Sequence, residues 1–211
     1  MADDREVANM FRWLAMAVFI TALAVSARLR APARRETGTI PRSRESPALI
    51  AGRLVVALPL FGGVIAYLVS PRSMAWASIG LSPLLRWLGV ALGIMAVPTV
   101  YWVLSTLGSN VSETVLTKER HELVTSGPYR FVRHPLYVVG ICLFLSVGLM
   151  AANAFILLWT LLTLIAVRSL VVPREEAELV AKFGEDYRRY QKMTGSLLPK
   201  LPHERTSGGA V

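Results

Sequence analysis

Long apolar runs alternate with short, basic polar stretches along this chain. Five runs stand out, at about 10–27, 49–69, 84–107, 135–151 and 154–172. Each approaches the roughly 20 residues that cross a hydrocarbon core of about 30 Å. Lipid offers no partner to a backbone N–H or C=O, so each run is predicted to be a helix. Arg12 and Arg53 sit close to the ends of their runs, where a long stem carries the charge to the interface. Pro98 predicts a kink in the third run. Only Ala152-Asn153 separates the fourth run from the fifth, which forces an antiparallel helical hairpin.

The polar stretches have their own pattern. Residues 173–190 read as one amphipathic helix. Pro173 fits its first turn, and Glu175, Glu176 and Glu178 suit its positive end. Leu179, Val180, Phe183, Tyr187 and Tyr190 recur at helical spacing and form its apolar face. The polar segment 108–126 reads as a short interfacial helix or a folded loop around Ser112-Glu113-Thr114 and 118–122. Three regions follow: helices 1–3 with a basic connection (1–106), a candidate site region with helices 4 and 5 and the tail helix (107–200), and a polar, disordered tail (201–211).

Composition changes the picture in one respect. The chain has 211 residues, 54% of them hydrophobic, too apolar for an ordinary soluble domain. The net charge of +9 would fit nucleic acid, but no nucleic-acid-binding signature accompanies it. The basic residues instead mark the side of the membrane on which each connection lies. Arg28, Arg30, Arg34, Arg35, Arg42 and Arg44 follow the first run, and only Arg72 follows the second. Lys118, Arg120, Arg130 and Arg133 follow the third, and seven basic residues follow the fifth. The start is acidic, with Asp3, Asp4 and Glu6. The expectation is an integral membrane protein with five crossings, an outer N-terminus and a cytoplasmic C-terminus. Val25-Ser26-Ala27 resembles a signal-peptidase site, but the acidic start lacks a basic leader region, so the first helix is expected to be retained. The lone Cys142 excludes an intrachain disulfide and reads as a packing residue.

The chemistry gathers at two places. Arg133-His134-Pro135 stands at the mouth of the fourth run, where proline starts a helix and holds the two preceding side chains at its entrance. Tyr129 and Tyr137 flank the pair. Glu175-Glu176 opens the tail helix, and neighbours on a helix point different ways, so the two carboxylates are expected to face different partners. Taken singly, each element also fits a blander role: interfacial anchoring for the arginine, histidine and tyrosines, and dipole capping for the glutamates.

Together the elements form a longer pattern. Leu123-Val124-Thr125-Ser126-Gly127-Pro128-Tyr129 leads into Arg133-His134-Pro135-Leu136-Tyr137. A helical hairpin follows, then Glu175-Glu176 with Leu179, then Phe183-Gly184, then Tyr187 and Tyr190. The order and spacing closely resemble the isoprenylcysteine carboxyl methyltransferase family, integral membrane enzymes related to phospholipid methyltransferases, over about residues 107–199. The resemblance implies S-adenosylmethionine as cofactor, contacted by His121, Leu123, Val124 and Tyr129. It implies His134, Pro135, Leu136 and Tyr137 around the adenosine or methionine part, with Glu175 holding the cofactor and Glu176 as its partner. One position departs. In the eukaryotic isoprenylcysteine enzymes an arginine four residues before the first glutamate contacts substrate, and Val171 stands there, leaving Arg168 or Arg174 as candidate substrate residues.

The leading expectation is a methyltransferase acting on a lipid or small amphiphilic acceptor (a carboxylate, thiol or amine) at the cytoplasmic face. His134 is the candidate proton acceptor, and Arg133 is a candidate for orienting an anionic acceptor. Two other classes stay open: a membrane reductase of the sterol reductase type using NADPH, and a non-catalytic membrane scaffold. There is no glycine-rich dinucleotide turn.

Overall fold

The computed structural model describes residues 2–37, 47–108 and 122–200. All regular structure among them is helical, with two isolated bridges and no strand. In chain order these are α1 (Ala2–Thr37), α2 (Pro47–Val69), a 3-10 turn (Pro71–Ala77), α3 (Pro83–Leu107) and a second 3-10 turn (Gly127–Arg130). Then come α4 (Pro135–Ala151), α5 (Ala154–Ala166), a π turn (Val167–Val171), α6 (Val172–Phe183) and α7 (Glu185–Met193).

Among the described residues, four helical stretches are long and apolar enough to cross a membrane: Glu6–Ala31, Ile50–Val69, Pro83–Leu107 and Ala154–Phe183. The predicted fourth run is α4, an apolar helix of 17 residues, about 25 Å long and shorter than those four. Outward-facing Leu58, Ile94, Met95 and Leu161 are exposed, as the side chains of a lipid-facing surface are. Inside, one core joins α1 to α5 through Phe11, Phe19, Leu60, Val64, Leu104, Val147 and Met150. Gly89 and Gly93 let α3 lie close against α4, since a side chain at either would meet Ser146 or its neighbours within about 3 Å.

The hairpin expected at Ala152-Asn153 is present. Ala152 turns through a left-handed conformation, and Asn153 caps α5 by accepting from Ile156 N–H. Its amide also donates to Met74 O at 3.0 Å, which docks the hairpin on the first 3-10 turn. This end of the bundle therefore collects the hairpin turn, the end of α2 and the start of α3. Arg12 joins them by donating to Leu68 O and Val69 O, the last carbonyls of α2. Arg86 caps α4 through Met150 O and lies over the Phe11 ring at 4.0 Å. The opposite end gathers the end of α3, the start of α4, the π turn, α6 and α7.

Two boundaries differ from expectation. The first helix runs well past both limits of its apolar stretch. The fifth run does not stop before the tail helix: residues 154–183 are helical throughout, with the π turn inside them. Pro173 explains the turn, because it has no N–H for the preceding turn and its ring crowds that turn. The apolar stretch still ends at Val172, and α6 beyond it carries Arg174, Glu175, Glu176 and Glu178. The tail is also two helices rather than one. Gly184, at φ +57 and ψ −127, adopts a conformation that needs glycine and ends α6. The expected apolar face is divided accordingly. Tyr187 and Tyr190 on α7 are buried, while Leu179, Val180 and Phe183 on α6 are half-buried. The expected tail 201–211 and the connection around Ser112 lie outside the described residues.

Candidate functional site

The two sequence elements meet at the end of the bundle opposite the hairpin. Pro135 starts α4, and His134 precedes it as N-cap without using its side chain to cap. The imidazole is free to turn toward α6, where Glu175 and Glu176 stand on the first turn after Pro173. His134 Nε2 lies 3.0 Å from Glu176 Oε1, and Nδ1 lies 3.7 Å from Glu175 Oε2. The Tyr137 hydroxyl, one turn along α4, donates to Glu175 Oε2 at 2.9 Å.

The neighbouring carboxylates do different work. Glu176 is engaged on both oxygens. Arg133 donates to Oε1 from Nε at 2.9 Å and Nη2 at 2.7 Å, and Gln191 Nε2 donates to Oε2 at 2.9 Å. Burial alone would raise the Glu176 carboxyl, but hydrogen bonds from His134 and Arg133 outweigh it and hold the group at about 2. Glu176 is therefore ionised near neutrality and accepts only, so the His134 nitrogen facing it carries the proton. Glu175 moves the other way. Burial raises its carboxyl, partly offset by His134, Tyr137 and the charge of Arg53. Its side chain is also the more open, 27% exposed against 16% for Glu176.

Arg133 is largely committed. Besides Glu176, its Nη1 donates to Gln191 O and Thr194 O. Four of the five guanidinium N–H groups are thus engaged by protein, which leaves one on Nη2 for the anionic acceptor considered from sequence. Arg168 and Arg174 are exposed and outside this cluster. Val171 is buried and packs against Tyr137, so an apolar side chain braces the ring that holds Glu175. Pro135 is buried and Leu136 packs on the main core. Leu123 and Val124 are half-buried in the segment that leads into the second 3-10 turn. Tyr129 is buried in that turn, and its carbonyl accepts from the Tyr190 hydroxyl. Burial raises the hydroxyls of Tyr129, Tyr187 and Tyr190, which stay neutral. His121 lies outside the described residues.

Several participants have no motif. Gln191 and Thr194 complete the Arg133–Glu176 cluster, and Gly195 and Ser196 accept from the backbone N–H groups of Arg133 and His134 at 2.8 and 3.1 Å. Arg53, from the distant α2, is close enough for its charge to act on Glu175. Sequence spacing carries no signal for such contacts, which arise only when the chain folds back.

Comparisons with known proteins bear on the family and the fold. Residues 88–181 match the model of the isoprenylcysteine carboxyl methyltransferase (ICMT) family. The protein-S-isoprenylcysteine O-methyltransferase of Schizosaccharomyces pombe is 36% identical over 97 residues, 45% of this chain and 41% of that protein. The methanethiol S-methyltransferase of Pseudomonas deceptionensis is 40% identical over 75 residues, 35% of this chain and 27% of that protein. The chain thus spans less than half the length of both relatives. In fold it is similar to the eukaryotic intramembrane Ras methyltransferase ICMT, with a TM-score of 0.54 and 21% identity over 88% of this chain and 67% of that one. Residues 88–181, within an all-helical bundle with apolar, membrane-length helices and a polar cluster at one end, thus resemble the ICMT family, and the fold resembles that of its solved member.

Proposed function

We propose that this protein is an S-adenosylmethionine-dependent methyltransferase working at the cytoplasmic membrane surface on an amphiphilic or small apolar acceptor. The observation that carries the reading is Glu175: a half-open carboxylate fixed by Tyr137 beside His134, at the end of an apolar bundle. The residues fit the cofactor. A carboxylate suits its cationic amino and sulfonium groups, and the aromatic faces of Tyr129 and Tyr137 suit its base. Leu123, Val124 and the backbone of His134, Pro135 and Leu136 complete the holding set, with His121 upstream.

When bound, S-adenosylmethionine supplies an electrophilic methyl group. The chain's share is alignment and exclusion of water, which the apolar helices and the closed tail supply. His134, with Nε2 donating to Glu176, presents Nδ1 as the nitrogen able to take a proton from a neutral acceptor. Glu176 acts through His134 rather than on the cofactor. The packing of Val171 under Tyr137 supports an acceptor without a carboxylate to anchor at that point.

The topology follows the same reading. Arg12, Arg72 and the hairpin turn share one end of the bundle, and Arg30, Arg53, Arg130 and the tail share the other. The positive-inside rule then assigns the site end to the cytoplasm, with α4 as a fifth crossing and regions 1–106 and 107–200 packed as one body. Incubating membranes that contain the protein with methyl-labelled cofactor tests the function. Label in a lipid or small-thiol fraction is expected. Binding of NADPH instead, or of neither cofactor, would overturn the reading in favour of a reductase or a scaffold.

A further inference from the structure

The tail beyond α7 crosses the motif instead of leaving it. Val132 and Gly195 pair as a parallel bridge, and Arg133 N–H and His134 N–H donate to Gly195 O and Ser196 O. Arg133 reaches Thr194 O, and Gln191 reaches Glu176. Lys200 ties the strap back by donating to Gln191 O at 3.2 Å and Lys192 O at 2.8 Å. Leu197 is buried against Val167, Val172 and Tyr137, which anchors the strap on the π turn. At Gly195 an added Cβ would stand 1.9 Å from Leu198 O, so only glycine fits there without moving the strap. Thr194 and Gly195 are both buried where the strap crosses the motif.

We propose that Gln191 and the strap 194–200 are positioning elements for His134: they set, through Arg133 and Glu176, which ring nitrogen carries the proton and which faces Glu175. The chain of contacts runs in one direction. Gln191 occupies Oε2 of Glu176, Arg133 occupies Oε1 alongside His134, and the strap carbonyls fix both Arg133 and the His134 backbone. With Gln191 removed, Oε2 loses its only side-chain donor among the described residues, and the carboxylate is free to rotate away from Nε2. The tail is then part of the site, although the family match ends at residue 181, before it. The functional consequence rests on the proposed methyltransferase reading. The structural consequence does not.

The test uses the full chain in lipid nanodiscs, labelled with ring-nitrogen-15 histidine. The chain has three histidines, and the His134 signals are assigned by replacing His121 and His203 in turn. Wild type is expected to show a protonated, hydrogen-bonded Nε2. Gln191→Ala and Gly195→Ala should each shift or broaden both His134 ring signals, and Gln191→Lys, which restores a donor, should recover the wild-type pattern. In turnover, Gln191→Ala should lower kcat about tenfold with the acceptor KM little changed, as expected for one charge-assisted contact. Unchanged ring signals in folded Gln191→Ala and Gly195→Ala would overturn the proposal and leave the strap as packing. Ring signals that move as expected in a protein that binds no S-adenosylmethionine would keep the positioning role and remove the methyltransferase reading. The reverse pair of results would do the opposite.

Discussion

The two ends of this bundle use the same residue for different purposes. At the hairpin end, Arg12 and Arg86 donate to the last carbonyls of α2 and α4, and no carboxylate is near them among the described contacts. They finish helices whose terminal acceptors would otherwise lie unpaired beside lipid. At the other end, Arg133 also binds carbonyls, but its main partner is a carboxylate that in turn holds a histidine beside a second carboxylate. Satisfying a backbone needs a donor. A cluster of His134, Glu175, Glu176 and Tyr137 exceeds that need, and the proposed function uses the excess for chemistry.

Removing an arginine from each end should separate the two roles. Arg133→Met strands the buried Glu176 charge and is expected to cost about 3–5 kcal/mol and to abolish S-adenosylmethionine binding. Arg86→Met leaves a buried carbonyl, costs about 1–3 kcal/mol, and leaves cofactor affinity unchanged. Thermal unfolding in detergent alongside binding calorimetry reads both. Loss of binding in Arg86→Met at temperatures where it stays folded would erase the contrast.

A smaller contrast lies within α7. The Tyr190 hydroxyl bonds to Tyr129 O, whereas the buried Tyr187 hydroxyl has no hydrogen-bond partner among the described residues. Tyr190→Phe should therefore lower stability by about 1 kcal/mol, and Tyr187→Phe should be neutral or slightly stabilising. Equal losses in the two variants would contradict the assignment.

A further effect is the pH dependence of the clamp. Because the Glu176 carboxyl is held at about 2 in the folded chain, its contribution is fully present above the ordinary carboxylate value and is lost as pH falls toward 2. Wild-type Tm should decline below about pH 4.5 more steeply than that of Glu176→Gln. Parallel declines would show that other carboxylates govern acid unfolding.

Much of this was legible in the chain. The apolar runs gave the helices, because membrane crossing ties length to composition, and the two-residue break gave the hairpin. The meeting of Arg133-His134 with Glu175-Glu176 was readable because a tight hairpin brings its two outer ends together. What escaped has a common physical origin. Gly184 splits the tail because one residue's backbone conformation overrides a sustained apolar face. The π turn arises from Pro173 inside a helix long enough to continue past it. Gln191, Gly195 and Ser196 join the site through backbone contacts that leave no residue pattern. The division of labour between the glutamates also needed coordinates: Glu176, expected as a cofactor partner, is enclosed by protein donors, and Glu175 is the open one.

Equilibrium binding of labelled S-adenosylmethionine to purified wild-type protein and Glu175→Gln tests the central claim most directly. The account predicts saturable wild-type binding that weakens by about 1.5–3 kcal/mol, tenfold or more, in the variant, with folding intact. Equal affinity in the two proteins, or no binding by wild type, would contradict it and return Glu175 to capping the first turn of α6.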